Sequence, residues 1–172
     1  SSTDGLSGDA VYDVDTAPDG SLWIAAAGGL SQYDDGAIHS YGPMDGLPSN
    51  QALAVLADTY GNIWVSTGTT IGFQAGSGMC RFDGAEFECY RVEDGLASNQ
   101  ILHLSEDREG LVWAGTTAGV SRYGGRHFSH YSQADGLGDD VVQTVLRTRD
   151  DSVWVGTEGG LSRMTDGVIE TW

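Results

Sequence analysis

The chain has 172 residues, 40% of them hydrophobic and five of them Trp, enough for one domain with a packed core and too few for two. Its formal net charge is −17 and its eight basic residues are all Arg, so phosphate backbones are poor partners and anionic membrane surfaces little better. The absence of Lys removes Schiff-base chemistry and a P-loop lysine. No apolar run approaches the ~20 residues that cross a bilayer as a helix. The chain opens on Ser with no basic-then-apolar leader, which reads as a processed product or a trimmed chain.

Taken in order, the sequence says one thing four times. The phrase Asp-Gly-Leu begins at Asp4, Asp45, Asp94 and Asp135, and a tryptophan follows at Trp23, Trp64, Trp113 and Trp154. Both series step by 41, 49 and 41 residues. Each unit closes on an aromatic, Tyr41, Tyr90, Tyr131 or Trp172, which gives units 1–41, 42–90, 91–131 and 132–172. In the third unit, residues 100–105 read as a first strand, 107–110 as a turn, and 111–115 as a nearly all-apolar second strand. Residues 120–123 then alternate, Gly124 and Gly125 turn, and 127–131 close the unit. Four short strands at a period of about 40 residues predict an all-β chain of four-stranded antiparallel blades, a β-propeller. The repeated tryptophan is expected to fill the wedge between blades, and the glycines after it to serve tight connections.

Asp94-Gly-Leu-Ala-Ser-Asn-Gln100, Asp107-Arg-Glu-Gly-Leu-Val-Trp-Ala-Gly-Thr116, Gly119-Val-Ser-Arg-Tyr123 and Phe128-Ser-His-Tyr131 resemble the two-component regulator propeller repeat. All four units carry the resemblance; the fourth departs at its first turn, where Thr148-Arg-Asp-Asp151 stands. The resemblance implies a sensor propeller of a hybrid two-component system, often carbohydrate-sensing, in the periplasm or outside the cell. Such rings usually hold seven blades, and no kinase or regulator segment is present here.

Four blades in a row leave two Trp-bearing faces that must be covered. No blade is split between the termini, so nothing marks self-closure. The favoured expectation is an eight-bladed ring closed by homodimerisation, with a four-bladed monomeric ring, or a place within a longer propeller, as the alternatives.

Function is sought where the units differ. The second unit carries eight extra residues between its second and third strands, placing Ile71 and Phe73 on a Gly-rich loop as candidate ligand contacts. Cys80 and Cys89 flank the turn at 83–86; if Phe82 pairs with Phe87, the cysteines face each other, and a disulfide is possible. The alternative is two buried thiols. Asp9, Asn50, Gln51, Asn99, Gln100 and Asp140 lead into the first strands. They are candidates for hydrogen-bonding a small polar ligand such as a sugar, or simply cap the turn after Asp-Gly-Leu. His103 belongs to a first strand and could line a central channel; with Glu106 and Asp107 it is the weak candidate for catalysis. Arg81, Arg122 and Arg163 share one position and are expected to bridge to acidic neighbouring blades. The Asp-rich turns lack the spacing of a calcium loop. No metal, cofactor or catalytic set is expected. The reading is a non-catalytic binding or sensing module, with a structural self-assembling module or a propeller lyase or hydrolase as alternatives.

Overall fold

A computed structural model describes residues 1–68, 76–165 and 167–172. The first sheet comprises β1 (Val11–Thr16), β2 (Leu22–Ala26), β3 (Gly29–Asp34) and β4 (Ala37–Tyr41). The second holds β5 (Ala52–Ala57), β6 (Ile63–Gly68), β7 (Gly76–Phe82) and β8 (Phe87–Tyr90). The third holds β9 (Ile101–Glu106), β10 (Val112–Thr116), β11 (Gly119–Tyr123) and β12 (Phe128–Tyr131), and the fourth β13 (Val142–Arg147), β14 (Val153–Thr157), β15 (Gly160–Thr165) and β16 (Val168–Thr171). Within each sheet, strands consecutive in sequence lie side by side and antiparallel, as the repeat predicts.

Asp-Gly-Leu is the joint before each sheet. A short 3-10 turn ends at the Asp, whose carboxylate accepts the backbone N–H three residues earlier: Gly42 to Asp45 at 2.8 Å, Arg91 to Asp94 at 2.9 Å, Ser132 to Asp135 at 2.9 Å. The glycine follows in the left-handed region, φ 112° at Gly46 and 106° at Gly95, where a Cβ would strain. The leucine then drops into the core, and Leu47, Leu96 and Leu137 are all buried.

Three apolar clusters hold the sheets face to face. Trp23 packs with Leu47, Ala52, Val55, Val65 and Phe82 of the second sheet and its joint. Trp64 meets Leu96, Ile101, Leu104 and Tyr123 of the third, and Trp113 meets Leu137, Val142, Val145 and Met164 of the fourth. Each tryptophan is thus a wedge driven into the next sheet. Its indole N–H also needs a partner once buried. Trp64 Nε1 donates to Asp58 Oδ2 at 2.9 Å and Trp113 Nε1 to Asp107 Oδ2 at 2.8 Å. The same aspartates accept turn N–H groups through Oδ1. The first unit has Ala17 at that position, and there Trp23 Nε1 turns to Ser21 Oγ at 3.1 Å.

Among the described residues no cluster joins the fourth sheet to the first. Position 30 is fully buried in three units (Leu30, Met79 and Val120, each 0% exposed), whereas its counterpart Leu161 is 44% exposed. Val55, Leu104 and Val145 are buried, but their counterpart Val14 is 53% exposed. The chain is therefore an open row of four blades, and the four-bladed monomeric ring is not what the structure shows.

Two further features concern the third and fourth strands. Phe82 pairs with Phe87 and Cys80 with Cys89 across β7 and β8, and the two sulfurs form a disulfide. The arginines do not reach neighbouring blades as expected. Arg81 pairs with Glu88, Arg122 with Glu109 and Arg163 with Asp150, all within their own units. The third strand points these side chains back over their own sheet, and Arg122 and Arg163 lie over the Trp113 and Trp154 rings at 5.5 and 5.7 Å.

Candidate functional site

The joints and the connections between second and third strands meet at one end of the sheets. Gly119 N donates to Asp140 O, and Gly78 N to Asn99 O at 3.0 Å. Gly68 N donates to Gln51 O at 3.1 Å, and Ser49 Oγ to Gly68 O at 3.2 Å. Gly68 and Gly76 are paired in register and bound the insertion in the second unit. Residues 49–51 therefore lie beside its exit and residues 99–100 beside its return. The structure thus gathers Asn50, Gln51, Asn99 and Gln100 around these stems. Ile71 and Phe73 lie outside the described residues.

Most polar groups at this end are consumed by the fold. Asp9 Oδ1 accepts Ser2 N at 2.6 Å, Asn99 Oδ1 accepts Val92 N at 2.8 Å, and Asp140 Oδ1 accepts Gln133 N at 2.7 Å. Each clamps the joint seven residues upstream. The corresponding donor for Asn50 would be residue 43, which is Pro43 and has no N–H. Among the described residues the Asn50 side chain has no hydrogen bond. It borders an open depression of about 470 Å³ shared with Ser7, Ser40, Tyr41, Met44 and Asp45.

Gln51 and Gln100 occupy one position but differ in the same way. Gln51 Nε2 donates to Tyr12 Oη at 2.9 Å. Tyr12 sits at a bulge where the β1–β2 register shifts, which frees it to reach the next blade. The residue placed to meet Gln100 is Leu53, and Gln100 Oε1 is buried without a partner. An acceptor in that state carries a desolvation cost that a donor from outside would offset.

The joint of the second unit departs once more. Ser31, Ser121 and Ser162 each accept a joint N–H through Oγ, from Ser7, Ala97 and Gly138, at 2.9 to 3.0 Å. The second unit has Cys80 there, bonded to Cys89, and Pro48 in place of the donor.

His103 does not present a free imidazole. Its Nδ1 accepts Val145 N at 3.3 Å, tying the third sheet to the fourth as Asp13 Oδ2 ties the first to the second through Val55 N at 3.0 Å. Burial holds its pKa below the ordinary 6.5, with Asp13 pulling more weakly the other way. Glu106 is occupied by Thr59 N and Oγ1, and Asp107 by its turn and Trp113. The histidine and the two carboxylates thus serve three different contacts rather than one reacting centre. Among the described residues, no group of three or more His, Cys, Asp or Glu is placed to hold a metal ion.

A family model for the two component regulator propeller matches residues 46–69, 95–118 and 136–159. Three of the four units thus carry a match to this repeat. Each match runs from the left-handed glycine of the joint to the end of the second strand, so the repeat is defined by the joint, the first-strand turn and the Trp wedge. The fourth unit, expected to be the aberrant one, is matched, and the first is not. The first unit has Ala17 where the others have Asp or Thr, and Ala26 where they have Thr67, Thr116 and Thr157.

No curated protein matches the chain by sequence. Among solved structures it is similar to the extracellular domain of a protein described as a one component system from B. thetaiotaomicron, with TM-score 0.77 and 21% identity over 97% of this chain and 25% of that one. A second, the extracellular domain of a protein described as a hybrid two component system from the same organism, has TM-score 0.54 and 20% identity, covering 98% of this chain and 29% of that one. Virginiamycin B lyase from Staphylococcus aureus has TM-score 0.73 and 16% identity over 95% of this chain and 55% of that one. These likenesses show the β-propeller fold. The chain spans only about a quarter of the length of the first two.

Proposed function

We propose that this chain is a non-catalytic sensing segment of an extracytoplasmic propeller. It reads a small polar ligand, such as a sugar, at the end of the sheets that carries Asn50 and Gln100. One observation supports this most. Among the described polar residues at the two repeated positions, these two side chains alone are released from the contacts that their counterparts make. One is an exposed amide beside a depression, the other a buried acceptor lacking a donor, and both are suited to hydroxyl groups. The separate engagement of His103, Glu106 and Asp107 favours binding over catalysis. The disulfide suits an oxidising compartment, and two similar folds are extracellular domains.

The test is a thermal-shift screen of the chain against mono- and oligosaccharides. A ligand at ~100 times its Kd adds ~2.7 kcal/mol and raises Tm by roughly 5 °C or more. Asn50→Ala and Gln100→Leu should each abolish that shift. Asn99→Ala should lower Tm through its lost clamp yet keep the shift. If no sugar moves Tm, or if both variants respond as the parent does, the reading fails.

A further inference from the structure

The two open faces of the row are the two halves of an interface that the chain already makes three times. On the fourth sheet, Trp154 stacks on Trp172 at 5.7 Å, as Trp23 does on Tyr41 and Trp64 on Tyr90. In the first two units an aromatic from the next sheet enters this pair, and in the third Met164 packs there. Phe82 lies 5.9 Å from Trp23 and 5.1 Å from Tyr41, and Tyr123 lies 5.0 Å from Trp64 and 5.2 Å from Tyr90. The residue at that position on the first sheet is Tyr33, 44% exposed where Phe82 is 7%. Val11 and Val14 of the first sheet are exposed in the places where Ala52 and Val55 are buried. The first sheet thus lacks the wedge that the fourth offers, and the fourth lacks the bed that the first offers.

Both faces belong to one chain, and a two-fold axis satisfies both at once with no bare edge left over.

We propose that a second copy of this chain covers both faces. Its first sheet seats on the fourth sheet of its partner, and the reverse, so that eight blades close into one ring. Tyr33 of each copy enters the Trp154–Trp172 pair of the other, and Leu161 becomes as buried as Leu30, Met79 and Val120.

Light scattering on the full chain at micromolar concentration should give twice the single-chain mass of 18.2 kDa. Leu161→Arg and Val14→Arg each place an unpaired charge in the dry seam and should weaken association by roughly a hundredfold or more, giving the single-chain mass. Both positions are exposed in the single chain, so the near-UV circular dichroism of these variants should indicate an intact fold. Should either arginine variant misfold, Trp172→Ala removes the wedge partner more gently and should still loosen the pair by about tenfold. A single-chain mass for the parent sinks the proposal. So does a mass that rises without limit with concentration, or a two-chain mass retained by all three variants.

Discussion

The pairing of Asp58 with Trp64 makes a prediction that the chain itself supplies the control for. Asp58 is buried and accepts four hydrogen bonds, from Tyr60 N, Asn62 N, Asn62 Nδ2 and Trp64 Nε1, at 2.8 to 3.0 Å. Asp58→Ala leaves the buried indole N–H without an acceptor, which costs about 1–3 kcal/mol, and the two turn N–H groups, which water can reach, add about 0.5–1 kcal/mol each. The expected loss is therefore about 3 kcal/mol. The first unit shows how the same fold lives with alanine there. Beside Ala17, Ser21 Oγ accepts from Trp23 and donates to Asp19 Oδ1 at 2.7 Å. Residues 62 and 60 correspond to 21 and 19, so the triple variant Asp58→Ala, Tyr60→Asp, Asn62→Ser transplants that solution and should recover about 1–2 kcal/mol. The assay is urea unfolding followed by Trp fluorescence, comparing midpoints at constant m. The reasoning is refuted if Asp58→Ala costs under about 1 kcal/mol, or if the triple variant is no more stable than the single one.

Three further outcomes are expected. Gln100→Leu should leave stability unchanged or raise it by up to about 1 kcal/mol in urea, because it removes a buried acceptor that has no donor; a loss above about 1 kcal/mol would mean that Gln100 has a structural partner. His103 has a lowered pKa in the folded chain, so its contribution is full above about pH 6.5 and is lost as pH falls through the lower folded value, where protonation removes the Nδ1 acceptor for Val145. The stability difference between the parent and His103→Gln should be constant above that pH and shrink below it, and parallel profiles would contradict this. Replacing Cys80 and Cys89 by Ser should cost about 2–3 kcal/mol, as expected for a bridge that closes a short loop, and adding Pro48→Ala should recover part of it by returning the N–H that Ser31, Ser121 and Ser162 accept elsewhere; a triple variant no better than the double would count against the exchange.

Architecture was legible because it is written in residues that recur at a fixed phase. The Asp-Gly-Leu joint, the Trp wedge and the closing aromatic each returned four times, and the strands read from the third unit lie within a residue of β9 to β12. The site was legible only as a set of positions. That Asn99 and Asp140 clamp a joint depends on the seven-residue reach of a folded loop, and spacing alone does not give that. Pro43 and Pro48 were plain in the sequence, but their meaning waits on knowing which N–H each one deletes. The arginine expectation failed for a related reason. Position on a strand fixes the face of a side chain, while for Arg122 and Arg163 the direction along the sheet, toward Glu109 and Asp150 in the same unit, goes with packing over the Trp rings.

The departures of the second unit hang together physically. A serine at residue 80 serves a joint only if residue 48 donates, and Pro48 does not. Cysteine at 80 and 89 removes an acceptor that would have been left idle, and it holds β7 to β8 by a covalent bond in the place of the Ser31–Ser40 contact of the first unit. Proline at 43 and 48 meanwhile stiffens the joint through its fixed φ, offsetting the loss of two backbone clamps. The net result is a joint that stays ordered without using the Asn50 side chain, directly beside the one connection that carries an insertion. In the other described joints the side chain at that position is needed to hold the turn, so it could not be given to a ligand without loosening the fold. The second unit is where recognition can be added at the least structural cost, so the Asn50 side of the proposed site stands on its joint, with Gln100 of the third unit beside it, and not at the repeated tryptophans.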